Sequence, residues 1–336
     1  MKEKQRALVV IGVLLCLSAA VVLYSLNTGT LKLSPITVVK TLFGFGDFQS
    51  ETVLFDYRLP RIVVTILAGI GLGIAGGILQ SVSRNALADP GIIGLNAGAA
   101  FGLIVFVTYF HALEGNPSLL IPLFTFGGGL LAAAIIVLLA YDRREGLVPI
   151  RLILVGIAVA AGFSALTLYL SLTLDEDTYT FASRWLVGNV WGRDWIHVLA
   201  LLPWIVCLVP LTLIQSNTLN ALTLGDAVAS SVGMRVQRKR LLLLTLAVGL
   251  ASSSVSMTGG IGFVGLVAPH LARRLVGSLH QYFLPVSAVL GLLILVSADT
   301  IGRSIFEPNA IPAGVVVAFI GAPYFLYLLT KTTKYR

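Results

Sequence analysis

Charge is scarce in this chain and confined to a few places. Asp, Glu, Lys and Arg make up 11% of the residues and hydrophobic residues 57%; soluble domains run at about 25% and about 45–50%. That composition excludes an ordinary soluble enzyme or nucleic-acid-binding domain. Cysteine is nearly absent. Cys16 and Cys207 each fall inside an apolar run, so neither a disulfide framework nor a cysteine metal cluster can be built. The dipeptide Gly-Lys never occurs, so the phosphate loop G-x-x-x-x-G-K-[ST] is missing, and a transporter with this sequence would draw ATP energy from another polypeptide. Carboxylates are missing from the middle of the apolar runs. Asp299 stands at the end of one and the other acids lie in the gaps, whereas ion-coupled transporters carry ionisable groups at mid-membrane. No set of His, Cys and carboxylate has metal-ligand spacing and no cofactor motif fits its setting, so neither a metal nor a cofactor is expected.

What is present is a succession of apolar stretches of about 18 residues or more, separated mostly by short gaps. About 20 apolar residues cross a bilayer core as a helix, and in lipid a helix satisfies its own backbone groups. The sequence therefore predicts an all-α polytopic membrane protein, a single transmembrane domain over 1–336. Its ten spans fall near 7–26, 61–82, 92–110, 119–140, 152–173, 195–214, 241–257, 261–278, 283–299 and 312–330. The first shares a basic start (Lys2, Lys4, Arg6) with signal peptides, but its apolar run is too long and no small-x-small cleavage site follows. It is expected to be retained. With the N-terminus inside, alternation puts 16 of the 23 Lys and Arg inside and 10 of the 15 acids outside. That bias fixes both termini on the cytoplasmic side. It also accounts for the net charge of +8 without nucleic acid, because the basic residues border spans, where they meet anionic lipid.

Three patterns suggest chemistry that their setting denies. Gly71-x-Gly73-x-x-Gly76 has dinucleotide-binding spacing but lies within an apolar span, without the preceding strand that motif needs. Gly69, Gly73 and Gly77 instead recur every four residues on one helix face, as do Gly94, Gly98 and Gly102, and small residues so placed let helices pack closely. Ser252 to Ser256 have no Gly-x-Ser-x-Gly context and no His–acid partner, which makes them polar packing residues. His270, after Pro269 near a span end, has no second ligand nearby and reads as a packed or interfacial histidine.

The long inner gap, 216–240, holds a short helix. Asp226 after Gly225 is placed to cap it. Ala227, Val228, Ala229 and Val232 give it a small apolar surface, and Gly233 can end it. Two settings suit such a helix: a groove in another protein, or the lipid interface with Arg235 to Arg240 as anchor.

Six stretches occur in a telling order: Arg58-Leu-Pro-Arg61, Asn85-Ala-Leu-Ala-Asp-Pro-Gly-Ile-Ile-Gly94, Leu224-Gly-Asp-Ala with Gly233, Gly260-Ile-Gly-Phe-Val-Gly-Leu-Val-Ala-Pro-His270, Ala298-Asp-Thr-Ile-Gly-Arg303, and Ile311-Pro-Ala-Gly314 running into Gly321-Ala-Pro323. With these the chain resembles a permease subunit of the FecCD/BtuC family of ABC importers, which take up iron–siderophores, haem and cobalamin. The resemblance implies a BtuC-like importer fold of ten spans with both ends inside. It implies that Arg58, Arg61 and Arg303 face an extracytoplasmic substrate-binding protein. It also implies that 224–233, with Leu224, Gly225, Asp226, Ala227 and Gly233, docks in a cytoplasmic ATPase, and that Val148, Pro149 and Ile150 form the loop near the inner gate. The substrate path would run at a dimer interface, lined by the spans after Arg61 and Asp175. The expected partners are a second permease (a paralogue, or another copy of this chain), two copies of the ATPase and a siderophore-binding protein, all at the cell membrane of a bacterium. ATP hydrolysis would belong to the separate subunit, so the chain is not expected to be an enzyme. Val148, Pro149 and Ile150 are more apolar than the hydroxyl-bearing loop of cobalamin importers, which leans away from cobalamin; an iron(III)–siderophore substrate is expected because it is the commoner one in the family the chain resembles. Cobalamin and haem are the alternatives within the family, and an ion-coupled secondary transporter is the alternative outside it.

Overall fold

The computed structural model describes residues 2–29, 31, 33–91, 93–110, 117–144, 146–305 and 310–332, most of them helical. In chain order, α1 is Lys2–Asn27, α2 Pro35–Leu42 and α3 Phe48–Glu51, which passes through a π-helical stretch, Thr52–Arg58, into α4, Leu59–Ser83. Then come α5 (Leu95–Val105, with a π-helical end over Phe106–Phe110) and α6 (Pro117–Ala140). A small antiparallel hairpin follows, β1 (Tyr141–Asp142) and β2 (Gly146–Leu147), with Tyr141 opposite Leu147. The remaining helices are α7 (Pro149–Ser171), α8 (Glu176–Leu186), α9 (Trp195–Ile214), α10 (Ser216–Thr223), α11 (Asp226–Ser231), α12 (Val236–Thr258), α13 (Val264–Val276), α14 (His280–Ser304) and α15 (Ala313–Thr332).

Helix ends follow from local chemistry. Ser34 caps α2, its hydroxyl accepting from the Thr37 amide at 3.1 Å with Pro35 at the first helical position. Asp175 caps α8 through the Thr178 amide at 3.0 Å. Asp194 caps α9, accepting from the His197 amide at 3.2 Å. Side-chain oxygens serve there because the first amides of a helix have no partner within it. Gly233 ends α11 in a left-handed conformation, φ 80°. Its amide donates to Ser230 and that of Met234 to Ala229, the pairing of a Schellman motif.

The centre of the bundle is α4, with α12 and α14 against it; all three are largely buried, whereas α1, α7 and α9 leave most of their surface open. Lipid gives helices no hydrophobic reason to associate, so close approach must come from small side chains. A methyl on Gly69 would stand 2.6 Å from the Gly291 carbonyl oxygen of α14; one on Gly73 would strike the Ser287 carbonyl, and one on Gly77 would meet Leu284 and Phe283. The Ser287 hydroxyl donates to the Gly73 carbonyl at 2.7 Å across this seam. Gly71 and Gly76 of the dinucleotide-like pattern face Ser254 of α12 and Gly265 of α13. Gly98 and Gly102 of α5 meet the Gly128 and Phe124 backbone of α6 in the same way. Gly94 does not share their face. It precedes α5 at φ 104°, where a methyl would stand 3.0 Å from the Gly156 carbonyl oxygen of α7; the chain turns there, and only glycine adopts that conformation without strain.

Each of the ten expected spans contains a helix, but they are unequal. Among the described residues seven helices are long and apolar enough to cross a membrane, and the apolar helices Leu95–Phe110 and Ala313–Leu328 are shorter. The eighth expected span, 261–278, holds only the 13 residues of α13, about 20 Å at 1.5 Å per residue. It follows a non-helical stretch at 259–263 in which Gly259 and Phe263 take positive φ. The end of α8 covers that stretch, the Gly260 amide donating to Trp185 at 3.4 Å, and irregular backbone is tolerated at membrane depth where protein covers it. The span after Arg61, expected to line a path between two chains, is largely enclosed within this chain. That span is α4, enclosed by α9, α12, α13 and α14.

The glycine seam is testable. Gly69→Leu should destabilise the purified protein by about 1–3 kcal/mol, the usual cost of overpacking, whereas Gly12→Leu, whose site on α1 is open, should leave it unchanged. Thermal unfolding of both variants in detergent measures the difference.

Candidate functional site

Two clusters of charge stand at opposite ends of α4. At the end the sequence places outside, Arg58 and Arg61 meet Arg303 from the far end of α14. All three are buried, at 6%, 9% and 8% exposure. Arg58 donates to the carbonyls of Leu26 and Leu31. Arg303 donates to the Thr28 carbonyl at 3.1 Å and the Ser25 carbonyl at 3.2 Å. Arg61 donates to both oxygens of Asp299, from Nε at 3.1 Å and from Nη2 at 2.6 Å, while Arg303 Nε stands 3.4 Å from the same carboxylate. The arginines therefore tie the end of α1 to α4 and α14. They line one cavity of about 560 Å³ together with Asp56, Trp191, Arg193 and Asp194.

Three sequence-distant arginines do converge, but their guanidinium groups are engaged within the chain. Residues 306–309, beside Arg303, lie outside the described residues. The structure adds a fourth arginine to the cavity. Arg193 Nη1 donates to His197 Nε2 at 3.0 Å, and the other ring nitrogen lies 2.7 Å from Asp194 Oδ1. A neutral ring with its proton on Nδ1 satisfies both contacts. Burial pushes the Arg193 guanidinium down to about 10, opposed by the charge of Asp194. The one sequence signal for this cluster is an Asp three residues before a His at a helix start.

At the inner end the organising group is Asp226. It does not cap α11: Gly225 occupies the cap position at φ 113°, and Asp226 is the first helical residue. Its carboxylate turns back to the bundle, where Arg240 Nη2 donates to both oxygens at 2.7 and 2.9 Å and Arg84 Nη2 donates to Oδ1. Partial burial pushes this carboxyl up, but Arg240 and Arg84 outweigh it and hold it below the usual carboxylate value. Arg240 is 1% exposed and so is no lipid anchor, although Arg235 and Arg238 beside it are exposed. Arg84 ends α4 in a left-handed conformation, φ 51°, strained by about 1–2 kcal/mol for a residue with a side chain. From there Arg84 Nε also donates to the Leu222 carbonyl at 3.1 Å. A basic residue at position 226 would therefore face Arg84 and Arg240.

Leu224, Val228 and Val232 recur every fourth residue and point away from the bundle, Leu224 at 69% and Val232 at 71% exposure. Ala227 is exposed as well, and Ala229 is buried. Val148 is the cap residue of α7, Pro149 its first residue, and Ile150 is exposed. Hairpin β1–β2 joins this segment to α6. His270 lies edge-on to Tyr324 with ring centres 5.7 Å apart, and Ser252 to Ser256 are buried on α12. Both are packing residues. Cys16 and Cys207 are exposed on α1 and α9. Among the described residues no group of His, Cys, Asp and Glu could hold a metal ion.

The chain has clear relatives. A family model described as the FecCD transport family matches residues 15–331. The chain is 44% identical to the iron(3+)-hydroxamate import system permease protein FhuG of Bacillus subtilis (strain 168), over 98% of this chain and 99% of that protein. It is 42% identical to the iron-uptake system permease protein FeuC of the same organism, over 93% of this chain and 94% of that one. Among solved structures, a metal-chelate type ABC transporter in an inward-facing conformation superposes with a TM-score of 0.84 at 30% identity, covering 96% of this chain and 98% of that one.

The ion pair of Arg61 and Asp299 gives a second prediction. Removing one partner of a buried pair strands the other charge, at a cost of about 3–5 kcal/mol, whereas replacing both by apolar residues is far milder. Asp299→Leu and Arg61→Leu should each lower the unfolding midpoint strongly, and the double variant less than either, as measured on the purified protein.

Proposed function

The chain belongs to the FecCD transport family, and on that footing we propose that it is the membrane permease subunit of an ATP-driven importer for iron(III)–siderophore complexes. It is a multi-pass membrane protein. The relatives described above are named for iron(3+)-hydroxamate import and iron uptake, which supports iron chelates over cobalamin or haem. ATP hydrolysis belongs to a separate cytoplasmic ATPase, two copies per transporter. A second permease completes the path, a binding protein delivers the chelate from outside, and the whole lies in a bacterial cytoplasmic membrane.

The observation that carries this reading is the α10–α11 segment. It presents an apolar ridge, Leu224, Val228 and Val232, away from the bundle. Behind the ridge, Asp226 is gripped by a buried arginine. An element that only floated on lipid would not need that tether. A segment that receives force from a partner does. The ridge sits in the ATPase, and Val148, Pro149 and Ile150 form the inner gate.

At the outer end the cavity of Arg58, Arg61, Arg193 and Arg303 receives an acidic side chain of the binding protein. The guanidinium fork suits carboxylates, and the arginine donors are already held in place. Because these arginines also hold the fold, charge reversal at Arg58 or Arg303 would disrupt the protein itself. The informative positions are exposed ones at the mouth.

Two measurements test the two ends. Val228→Glu should leave the chain in the membrane but abolish co-purification of the ATPase with it; an ATPase still bound to that variant would favour the lipid-lying helix. At the outer end, Trp191→Glu should weaken binding-protein association about two- to fivefold at low salt and Asp56→Asn should strengthen it, the range set by exposed charges worth about 0–1 kcal/mol. Both effects should fade as salt is raised. Titration of the binding protein against the reconstituted transporter reads them.

A further inference from the structure

The last residue of strand β2 is held by α12 at both of its backbone groups. The Leu147 amide donates to Gln237 Oε1 at 3.0 Å, and the Leu147 carbonyl accepts from Arg240 Nη1 at 2.7 Å. Leu147 is the residue before Val148, Pro149 and Ile150. The other terminal nitrogen of the same guanidinium holds the Asp226 carboxylate through two hydrogen bonds. One buried side chain thus joins the first residue of α11 to the last residue of β2, elements 79 positions apart in the chain.

We propose that Arg240, supported by Gln237, is the positioning residue that carries movement of α10–α11 to the segment entering α7. The inference rests on the reading of those segments as ATPase dock and gate. Its physical basis is stiffness. The guanidinium is planar and its donors keep a fixed relation, so Asp226 cannot shift without turning the group that holds Leu147. Arg240 is buried, so water does not compete for its contacts. Two residues on, Pro149 restricts the backbone through its ring and opens α7, so displacement at Leu147 passes into the helix instead of being absorbed in a loop. The second tie on Asp226, from Arg84, is partly exposed, with 37% and 43% of the two side chains open, and exposed pairs hold weakly. It anchors Asp226 to α4 loosely enough to yield.

A Lys at position 240 would keep the charge that Asp226 needs, but as a point charge it cannot reproduce both sets of bonds. It therefore separates transmission from folding. The assay uses the complete reconstituted transporter, with Cys16 and Cys207 replaced by Ala. A bimane fluorophore is placed at Ser231→Cys on α11 in one preparation and at Leu154→Cys, one turn beyond Ile150, in another. ATP with vanadate is then added. In the parent both reporters should respond. In Arg240→Lys and Arg240→Gln the Ser231 reporter should still respond while the Leu154 response falls by about half or more, with ATP hydrolysis retained. Gln237→Leu, which removes the acceptor for the Leu147 amide and leaves Arg240 in place, should reduce the Leu154 response less, and it supplies the measurement if an Arg240 variant does not assemble. A silent Ser231 reporter in the parent would overturn the docking reading on which the inference stands. Full Leu154 responses in these variants, with Ser231 responding, would overturn the transmission role alone.

Discussion

The fold depends on how closely α14 can approach α4. Each helix crosses lipid that is as apolar as its own side chains, so burial of hydrophobic surface cannot hold them together. What holds them is missing volume. Gly69, Gly73 and Gly291 leave room for backbone to lie on backbone, and Ser287 bonds across the gap they create. A second seam of the same kind, Gly98 and Gly102 against Gly128, joins α5 to α6. With α4 enclosed, its two ends become fixed points, to which the two clusters of charge are tied.

At those ends charge is paired, and at Arg61, Asp299 and Arg240 it is buried as well. Arg61 with Asp299 and Arg240 with Asp226 are costly arrangements in isolation, because removal of charge from water is repaid only when partners are well placed. Here the partners are well placed, and the result is directional. Arg58 and Arg303 lash the end of α1 to α4 and α14. Arg84 and Arg240 lash α11 to α4 and α12. Both sites are therefore rigid where they touch the bundle and open where they face away from it, toward a cavity on one side and an apolar ridge on the other.

Much of this was legible in the sequence for simple reasons. Hydrophobic run length is a local property, so helices near all ten expected positions could be placed. The charge bias is a property of gaps, and the ends it assigns to one side do lie together: Arg58, Arg61 and Arg303 at one end, Arg84, Asp226 and Arg240 at the other. The four-residue glycine spacing at 69, 73 and 77 names a helix face without any knowledge of what packs there. Position 94 misled because spacing alone cannot say that α5 has not yet begun. The cap assigned to Asp226 misled similarly. An acidic residue at a helix start is equally suited to capping and to pairing, and the choice lies with Arg240 and Arg84, which sequence distance hides.

By itself the sequence determined the class of the protein, its topology and the stretches that mark its family, because each of these follows from composition, run length or motif. Only the tertiary structure decided which charges meet. Arg61 and Asp299 lie 238 residues apart, and Arg84 and Asp226 142 apart; no local rule pairs them. It decided that the outer arginines serve the fold as well as a cavity, that Arg240 is buried while Arg238 two positions away is exposed, and that one guanidinium spans α11 and β2. The physical reason is the same in each case. In a bundle with so few charges, the role of a charged residue is set by the partner that packing brings within 3 Å or so, and packing is a property of the whole chain.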